Sequence, residues 1–337
     1  MKILIILVIC ILLFYFLSCK TYREQYKTDM NRKTDFVTLC FQNEIEMDLM
    51  KLQAMSFAFV PSDLVHEIII CWNDIGPFPS NFSIIEYYPK ILRPKVKCIS
   101  RNDIFDTEQK SDWRNQQICK LVVAKQIKAP HYIILDAKNH FIKPITEKHF
   151  YNEEGKPKLY LGNPGKMISY FDYCLQYFNI EKQNLQIASP YSVDDPNCQF
   201  CTTTPFIFKT DIVLEMMSHM ESVEDLEFPE LFLLHKEGTE FYFYISYLIW
   251  KEYIQGYHIQ KKMHVTLWPD LEKEWNQLDY IENSIEEEDY QIFGLHRKAI
   301  VKMEKEQIQD LLKFYTKFYP RKMVKQIKCL KLFGKKR

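Results

Sequence analysis

Asp136 closes the most apolar of the strand-like runs, His131-Tyr132-Ile133-Ile134-Leu135, and Lys138, Asn139 and His140 follow at once. One turn thus delivers a carboxylate, an ammonium and an amide together. Such a set can hold or stabilise charge; equally, an Asp after a strand can simply cap the turn. Upstream, Gln116, Gln117 and Lys120 share a stretch of helical periodicity, with Gln116 and Lys120 at i,i+4 on one face. That face could grip a phosphate or be ordinary polar surface. Glu240 is the lone carboxylate of Thr239-Glu240-Phe241-Tyr242-Phe243-Tyr244. Either it occupies the first turn of a helix, where the dipole favours it, or it acts as a general base or hydroxyl ligand. His296, between Leu295 and Arg297, reads as a satisfied core histidine or as a site residue. Trp72, Phe206, Tyr242 and Tyr244 offer ring faces for stacking, against a default of core packing. Cys198-x-x-Cys201 has no second pair or histidine motif beside it, so a loop disulfide or two free thiols outweighs zinc.

The elements that must carry these residues follow from periodicity. Asp35–Phe41, the stretch Leu64–Trp72 around Glu67–Cys71, Val96–Ser100 and His131–Asp136 read as strands by β-branched and aromatic content. Apolar residues at Ile45, Leu49, Leu52, Met55, Ala58 and Phe59 make Glu44–Phe59 an amphipathic helix, and Trp113, Ile118, Leu121 and Val122 do the same for Ser111–Ile127. Cys40, Cys71 and Cys119 fall inside these runs as small core residues. Strand, helix, strand, strand, helix, strand implies an α/β domain with a largely parallel sheet. In such sheets ligands bind beyond the carboxyl ends of the strands, which is where Asp136 falls. Thr38 and Trp72-Asn73-Asp74 leave their strands at the same edge.

Length and composition bound the answer. At 337 residues the chain is one large domain or two small ones. No repeat or low-complexity linker divides residues 35–300, so a single domain is expected there. An apolar fraction of 47% with 24 Phe and 21 Tyr supports a sizeable core and excludes disorder for most of the chain. Lys+Arg and Asp+Glu are equal at 44 each, which argues against nucleic acid as a partner. With 8 Gly and no glycine-rich phosphate loop, dinucleotide dehydrogenases and P-loop ATPases are excluded.

The loop Ile134-Leu135-Asp136-Ala137-Lys138-Asn139-His140-Phe141-Ile142-Lys143-Pro144 resembles the D-x-D loop of nucleotide-sugar transferases of the GT-A fold. Asp112-Trp113-Arg114-Asn115-Gln116-Gln117-Ile118-Cys119-Lys120-Leu121, Thr204-Pro205-Phe206, the Thr239–Tyr244 run and Phe293-Gly294-Leu295-His296-Arg297 extend the resemblance over roughly residues 35–300. In this order they look like a family of glycosyltransferase-type domains, known mainly as a domain of unknown function in bacteria and viruses. The resemblance implies a GT-A-like domain that passes a sugar from a nucleotide-sugar donor to a glycan acceptor. It places Asp136 at the donor diphosphate; Glu240, the lone carboxylate of its aromatic run, is the candidate for the acceptor side. Thr38, Asn73, Gln116, Gln117, Lys120, Asn139 and His296 are then expected around the donor. In that fold two carboxylates and a late histidine hold a divalent cation, and Asp136 and His296 match the first carboxylate and the histidine. The second carboxylate position is Lys138, and an ammonium has no acceptor with which to ligate a metal. Either Asp136, Asn139 and His296 hold Mn2+ or Mg2+ in another geometry, or Lys138 supplies the positive charge; a reduced or absent metal requirement is the favoured expectation. Lys138 also leaves open a catalytically silent relative that binds a glycan or nucleotide; a membrane-tethered structural protein using the α/β body as an interaction surface is a third alternative.

The ends carry a different signal. Ile3 to Leu17 is unbroken apolar sequence, at the short edge of a membrane span. A retained single-pass anchor over residues 1–20 fits better than a cleaved signal or a lipoprotein signal using Cys19. Lys20, Arg23, Lys27, Arg32 and Lys33 follow it, within or close to a linker over residues 21–34, which puts the body on the cytoplasmic side. The sequon Asn81-Phe82-Ser83 would be usable only in a secretory lumen. Residues 301–337 form a basic helical tail. From Lys313 onward there are ten Lys or Arg and no Asp or Glu, with Met323, Ile327 and Leu330 at helical spacing. That pattern suits a basic helix on an anionic membrane leaflet, or a solvated terminal helix.

Overall fold

The computed structural model describes residues 33–76, 78–79, 83–105, 113–162, 167–181, 199–262, 264–269 and 277–334. The anticipated anchor, the sequon asparagine, Asp112 and Cys198 lie outside these residues. Among the described residues, no helix is long and apolar enough to cross a membrane.

In chain order the elements are β1 (Thr34–Cys40), α1 (Glu44–Ser56), β2 (Val65–Trp72), β3 (Val96–Ser100), α2 (Trp113–Val122), β4 (His131–Asp136), β5 (Asn139–Phe141) and β6 (Lys158–Gly162). Then come α3 (Ile168–Tyr177), β7 (Gln199–Phe200), β8 (Phe206–Lys209), α4 (Thr210–Glu224), α5 (Phe228–Leu234), α6 (Glu240–Trp250), β9 (His258–Lys261) and β10 (His264–Leu267). The chain closes with α7 (Gln277–Glu287), β11 (Ile292–Leu295), α8 (Arg297–Lys302), α9 (Lys305–Phe318), α10 (Arg321–Lys328) and α11 (Lys331–Gly334). The strands and helices expected up to Asp136 are all present, with ends shifted by a few residues.

The central sheet has the order β3-β2-β1-β4-β8. Its first four strands run parallel and β8 pairs antiparallel to β4, so the sheet is mixed at one edge. Both faces are covered, which is why the parallel strands read as continuous apolar runs. Side-chain alternation divides the interior in two. Phe36, Cys40, Ile70, Trp72, Ile133 and Leu135 pack on one face with α1 and the C-terminal helices. Val37, Leu39, Ile69, Cys71, Tyr132 and Ile134 pack on the other with α2 to α6.

Two small sheets flank this one, β10-β11-β5 and β7-β6-β9. The first matters for the site. β5 continues the turn that follows β4 and pairs antiparallel with β11, setting Asn139 opposite Gly294. The Leu295 N–H also donates to the Lys138 carbonyl at 2.9 Å, so Lys138 and His296 are carried to the same place. Gly294 is dictated by close approach, since a Cβ there would collide with the Thr266 hydroxyl on β10.

The basic C-terminal segment corrects one expectation. Met323, Ile327 and Leu330 are buried in the first core, so the stripe read as membrane-facing is turned into the protein. Arg321, Lys322, Lys325, Lys328 and Lys331 remain on the exposed face. These helices also brace β5: Tyr315 hydrogen-bonds His140 Nε2 at 3.0 Å and the Tyr319 hydroxyl donates to the Phe141 carbonyl at 2.7 Å.

Candidate functional site

A cleft of about 1090 Å³ opens beyond the carboxyl ends of the parallel strands. Asp136 is in register with Leu39 of β1, so both project to the α2–α6 face. Lys120, late in α2, and Glu240, in the first turn of α6, reach the same point from two helices. Thr239 caps α6 by accepting from the Tyr242 N–H at 3.3 Å, which fixes where Glu240 emerges.

The four charges form one network. Lys120 Nζ lies 3.3 Å from Asp136 Oδ1 and 3.0 Å from Glu240 Oε1, with the Phe241 ring centroid 4.8 Å away. The Lys138 ammonium donates to Asp136 Oδ2 and, at 3.2 Å, to Thr204 Oγ1. The side chains of Lys120, Glu240 and Lys138 are only 10%, 3% and 14% exposed. Burial would push the Asp136 carboxyl up, but Lys120 and Lys138 hold it far below the usual carboxylate range. Burial would likewise lower Lys120, yet Asp136 and Glu240 drive it above an ordinary lysine. The Lys120 ammonium is therefore a fixed, charged donor at neutral pH.

The donor set does not suit a divalent cation. Each Asp136 oxygen already faces an ammonium. His296 caps α8 with Nδ1, accepting the Lys298 N–H at 3.2 Å, so the ring proton sits on Nε2 and that nitrogen is a donor. Burial, with Lys138, Arg297 and Lys298 nearby, lowers His296 to about 4, so the ring is neutral. Among the described residues, no group of three or more His, Cys, Asp or Glu is arranged to hold a metal ion.

Of the residues singled out from sequence, Asp136, Lys138, Lys120, Gln116, Glu240 and His296 all line the cleft. Four do not. Thr38 is one residue out of phase with Leu39 and faces α1, where it donates to Gln53 Oε1 at 2.8 Å. Asn73 is buried between strand ends, its Oδ1 3.5 Å from Cys119 Sγ and its carbonyl accepting from Arg101 at 3.2 Å; Asp74 beside it lines the cleft instead. Gln117 is buried and accepts from Arg114 at 2.8 Å; Arg114 also caps the carbonyl of His235 just past α5 at 3.0 Å. Asn139 is spent on the turn itself. Its Oδ1 accepts from the Asp136 N–H at 2.9 Å and the Thr204 hydroxyl at 2.6 Å, and its Nδ2 donates to the Thr204 carbonyl at 3.0 Å.

Sequence reading missed several contributors. Gln53 donates from Nε2 to the carbonyls of Asp136 and Asn139, both at 2.8 Å, and so clamps the turn from behind. A polar residue amid the apolar stripe of α1 was the available signal. Glu46 lines the cleft, yet reads in sequence as an ordinary acid in a helix first turn. Trp113 and Trp268, 49% and 46% exposed, stand on the cleft wall with Phe41 and Phe241, whereas Trp72, Phe206, Tyr242 and Tyr244 are core. Trp268 lies over the His296 ring at 5.3 Å between centroids.

The chain belongs to DUF6492, a family of unknown function whose model matches residues 56–276. Among solved structures it is similar to the galactosyltransferase LgtC in complex with donor and acceptor sugar analogs, at 10% identity over 86% of this chain and 98% of that one, with a TM-score of 0.45. It is similar also to mouse xyloside xylosyltransferase 1 in its apo form, at 11% identity over 78% of this chain and 97% of that one, with a TM-score of 0.42. The bifunctional glycosyltransferase WbbM matches at 10% identity over 78% of this chain and 45% of that one, with a TM-score of 0.44. No curated protein sequence matches the chain.

Proposed function

We propose that this chain is a glycosyltransferase that moves a sugar from a nucleotide-sugar donor to a glycan acceptor. The observation that carries the reading is the pair of ammonium groups, Lys120 and Lys138, gathered on Asp136 at the floor of an open cleft beyond the strand ends. Transfer breaks the bond between the anomeric carbon and the diphosphate oxygen, and the electron pair stays on that oxygen. The acceptor oxygen forms the new bond, and its proton passes to the departing diphosphate or to solvent. The difficult charge is therefore the one growing on the diphosphate, and cations already in place stabilise it without reorganising. Asp136 acts by holding both ammonium groups together. Glu240 acts through Lys120, whose ammonium it pairs, rather than as a free base. Trp113 and Trp268 offer half-exposed faces on which sugar rings can stack.

The test is release of nucleoside diphosphate from uridine, guanosine and cytidine diphosphate sugars. Wild type should release it from at least one donor. Asp136→Asn, which leaves two ammonium groups without their shared counter-ion, should lower release about a hundredfold or more. Silence with every donor would end the transferase reading. Binding of a nucleotide with no release would instead favour a silent binding protein, a reading that the full pairing of Asp136 supports. We further propose that the apolar segment within residues 1–20 anchors the chain, with residues 35–300 as the catalytic body on the cytoplasmic side; the charge asymmetry around that segment supports it.

A further inference from the structure

We propose that Lys120 and Lys138 form a diphosphate cradle that works without a divalent cation. The inference rests on the transferase reading for the identity of its ligand, and on three features of the cleft for its chemistry.

The first is what Asp136 faces. In an acid-x-acid loop the two carboxylates would converge on a cation; here the second position is Lys138, whose ammonium bonds the first carboxylate directly. A cation approaching Asp136 must displace that ammonium and then sit beside its charge. The second is His296, whose Nδ1 lone pair is taken by the Lys298 N–H, leaving Nε2–H to point as a donor. A donor suits a phosphate oxygen and repels a metal. The third is unused donor capacity. An ammonium carries three N–H groups. Lys120 spends its nearest hydrogen bonds on Asp136 and Glu240, beside the Phe241 ring, and Lys138 on Asp136 and Thr204, so each has one N–H beyond these bonds. Thr203, on the cleft wall, has a hydroxyl with no partner among the described residues.

These features explain why two carboxylates belong in an anion site. Two ammonium groups, each little exposed, gathered on one carboxylate would repel each other strongly without it; Asp136 and Glu240 keep them together while the cleft is empty. A diphosphate then enters against N–H groups already aimed, and the charge released on bond cleavage meets them at short range.

The test uses the full-length chain in detergent and inorganic pyrophosphate, followed by calorimetry in EDTA and again with excess Mn2+. Binding should be equal in the two conditions to within about threefold. Lys138→Met should weaken it about tenfold or more at unchanged thermal stability, and Lys138→Arg should restore most of it. Because Lys120→Met leaves Glu240 without its partner, it is paired with Glu240→Gln, and that double variant should also bind weakly. Lys138→Asp, which recreates an acid-x-acid loop, should bind pyrophosphate only with Mn2+ present. Wild-type binding confined to Mn2+, absence of binding in both conditions, or full binding by Lys138→Met would each overturn the cradle. Failure of the transferase reading looks different: pyrophosphate binds in EDTA, yet no sugar nucleotide is turned over. Turnover that needs Mn2+ would sink the cradle and leave the transferase standing.

Discussion

Glu240 meets Lys120 at 3.0 Å with 3% of its side chain exposed, which makes the pair a buried one. Removing one partner of such a pair leaves an uncompensated charge. Glu240→Gln should therefore cost about 2–4 kcal/mol in urea unfolding, and adding Lys120→Met should recover part of that loss. Strict additivity of the two would show that they are not coupled. Glu46 gives a pH-dependent case. Burial pushes its carboxyl up to about 7, with Asp136 adding to the rise and Arg297 and Lys138 opposing it. Its acid is thus weaker folded than unfolded, so the folded state binds the extra proton and stability falls as pH rises from about 4.5 to about 7. Glu46→Gln should gain about 1–2 kcal/mol at pH 8, allowing for partial solvent contact, and nothing at pH 4. An equal gain at both would disprove the assignment. At this scale the sequence was informative wherever position sufficed. Asp136, Lys138 and Lys120 were legible because a strand end and a helical i,i+4 face fix them. Thr38 was misplaced because being at the right edge does not say which face of the sheet a side chain takes, and Asn73 because the right face does not say whether a side chain reaches the cleft or stays buried against Cys119.

Among the elements, α1 does more than cover the sheet. Gln53 accepts from Thr38 and donates to the carbonyls of Asp136 and Asn139, tying β1 to the turn after β4. Gln53→Leu strips partners from three buried groups at once, and about 2–4 kcal/mol should be lost. The Asp136 amide, which donates to Asn139 Oδ1 at 2.9 Å, should then exchange with deuterium faster. Unchanged exchange would mean that Asn139 and Thr204 hold the turn alone. The elements up to Asp136 were readable because a doubly covered parallel strand is a continuous apolar run and an amphipathic helix a periodic one. The antiparallel β8 and the β5–β11 pairing were not, since short strands carry little pattern and pairing direction leaves none. Yet that pairing is what brings His296 to Lys138.

For the molecule as a whole, the sheet separates two cores, and the C-terminal helices complete the first. Ile327 is fully buried while Lys325 and Lys328 are exposed, so substitutions on the two faces of α10 should behave oppositely. Ile327→Asp should cost about 4 kcal/mol or more, because it buries an unpaired charge. Lys325→Glu with Lys328→Glu should change thermal unfolding by no more than about 1 kcal/mol. If Ile327→Asp unfolded like wild type, the helix would not be packed as described. The sequence showed the amphipathic period of this helix; it could not show what the apolar stripe faces, because a protein core and a lipid leaflet attract the same residues.

The Leu332 N–H donates at 2.9 Å to Asp48 Oδ2, across 284 positions of sequence. During synthesis this contact has a temporal meaning. The side of the sheet that carries α1 cannot be completed before Leu332 has been made, while the core on the opposite side is complete by Tyr257. A nascent chain made only as far as β9 therefore leaves one greasy flank uncovered, and that flank is the one a chaperone would have to shield.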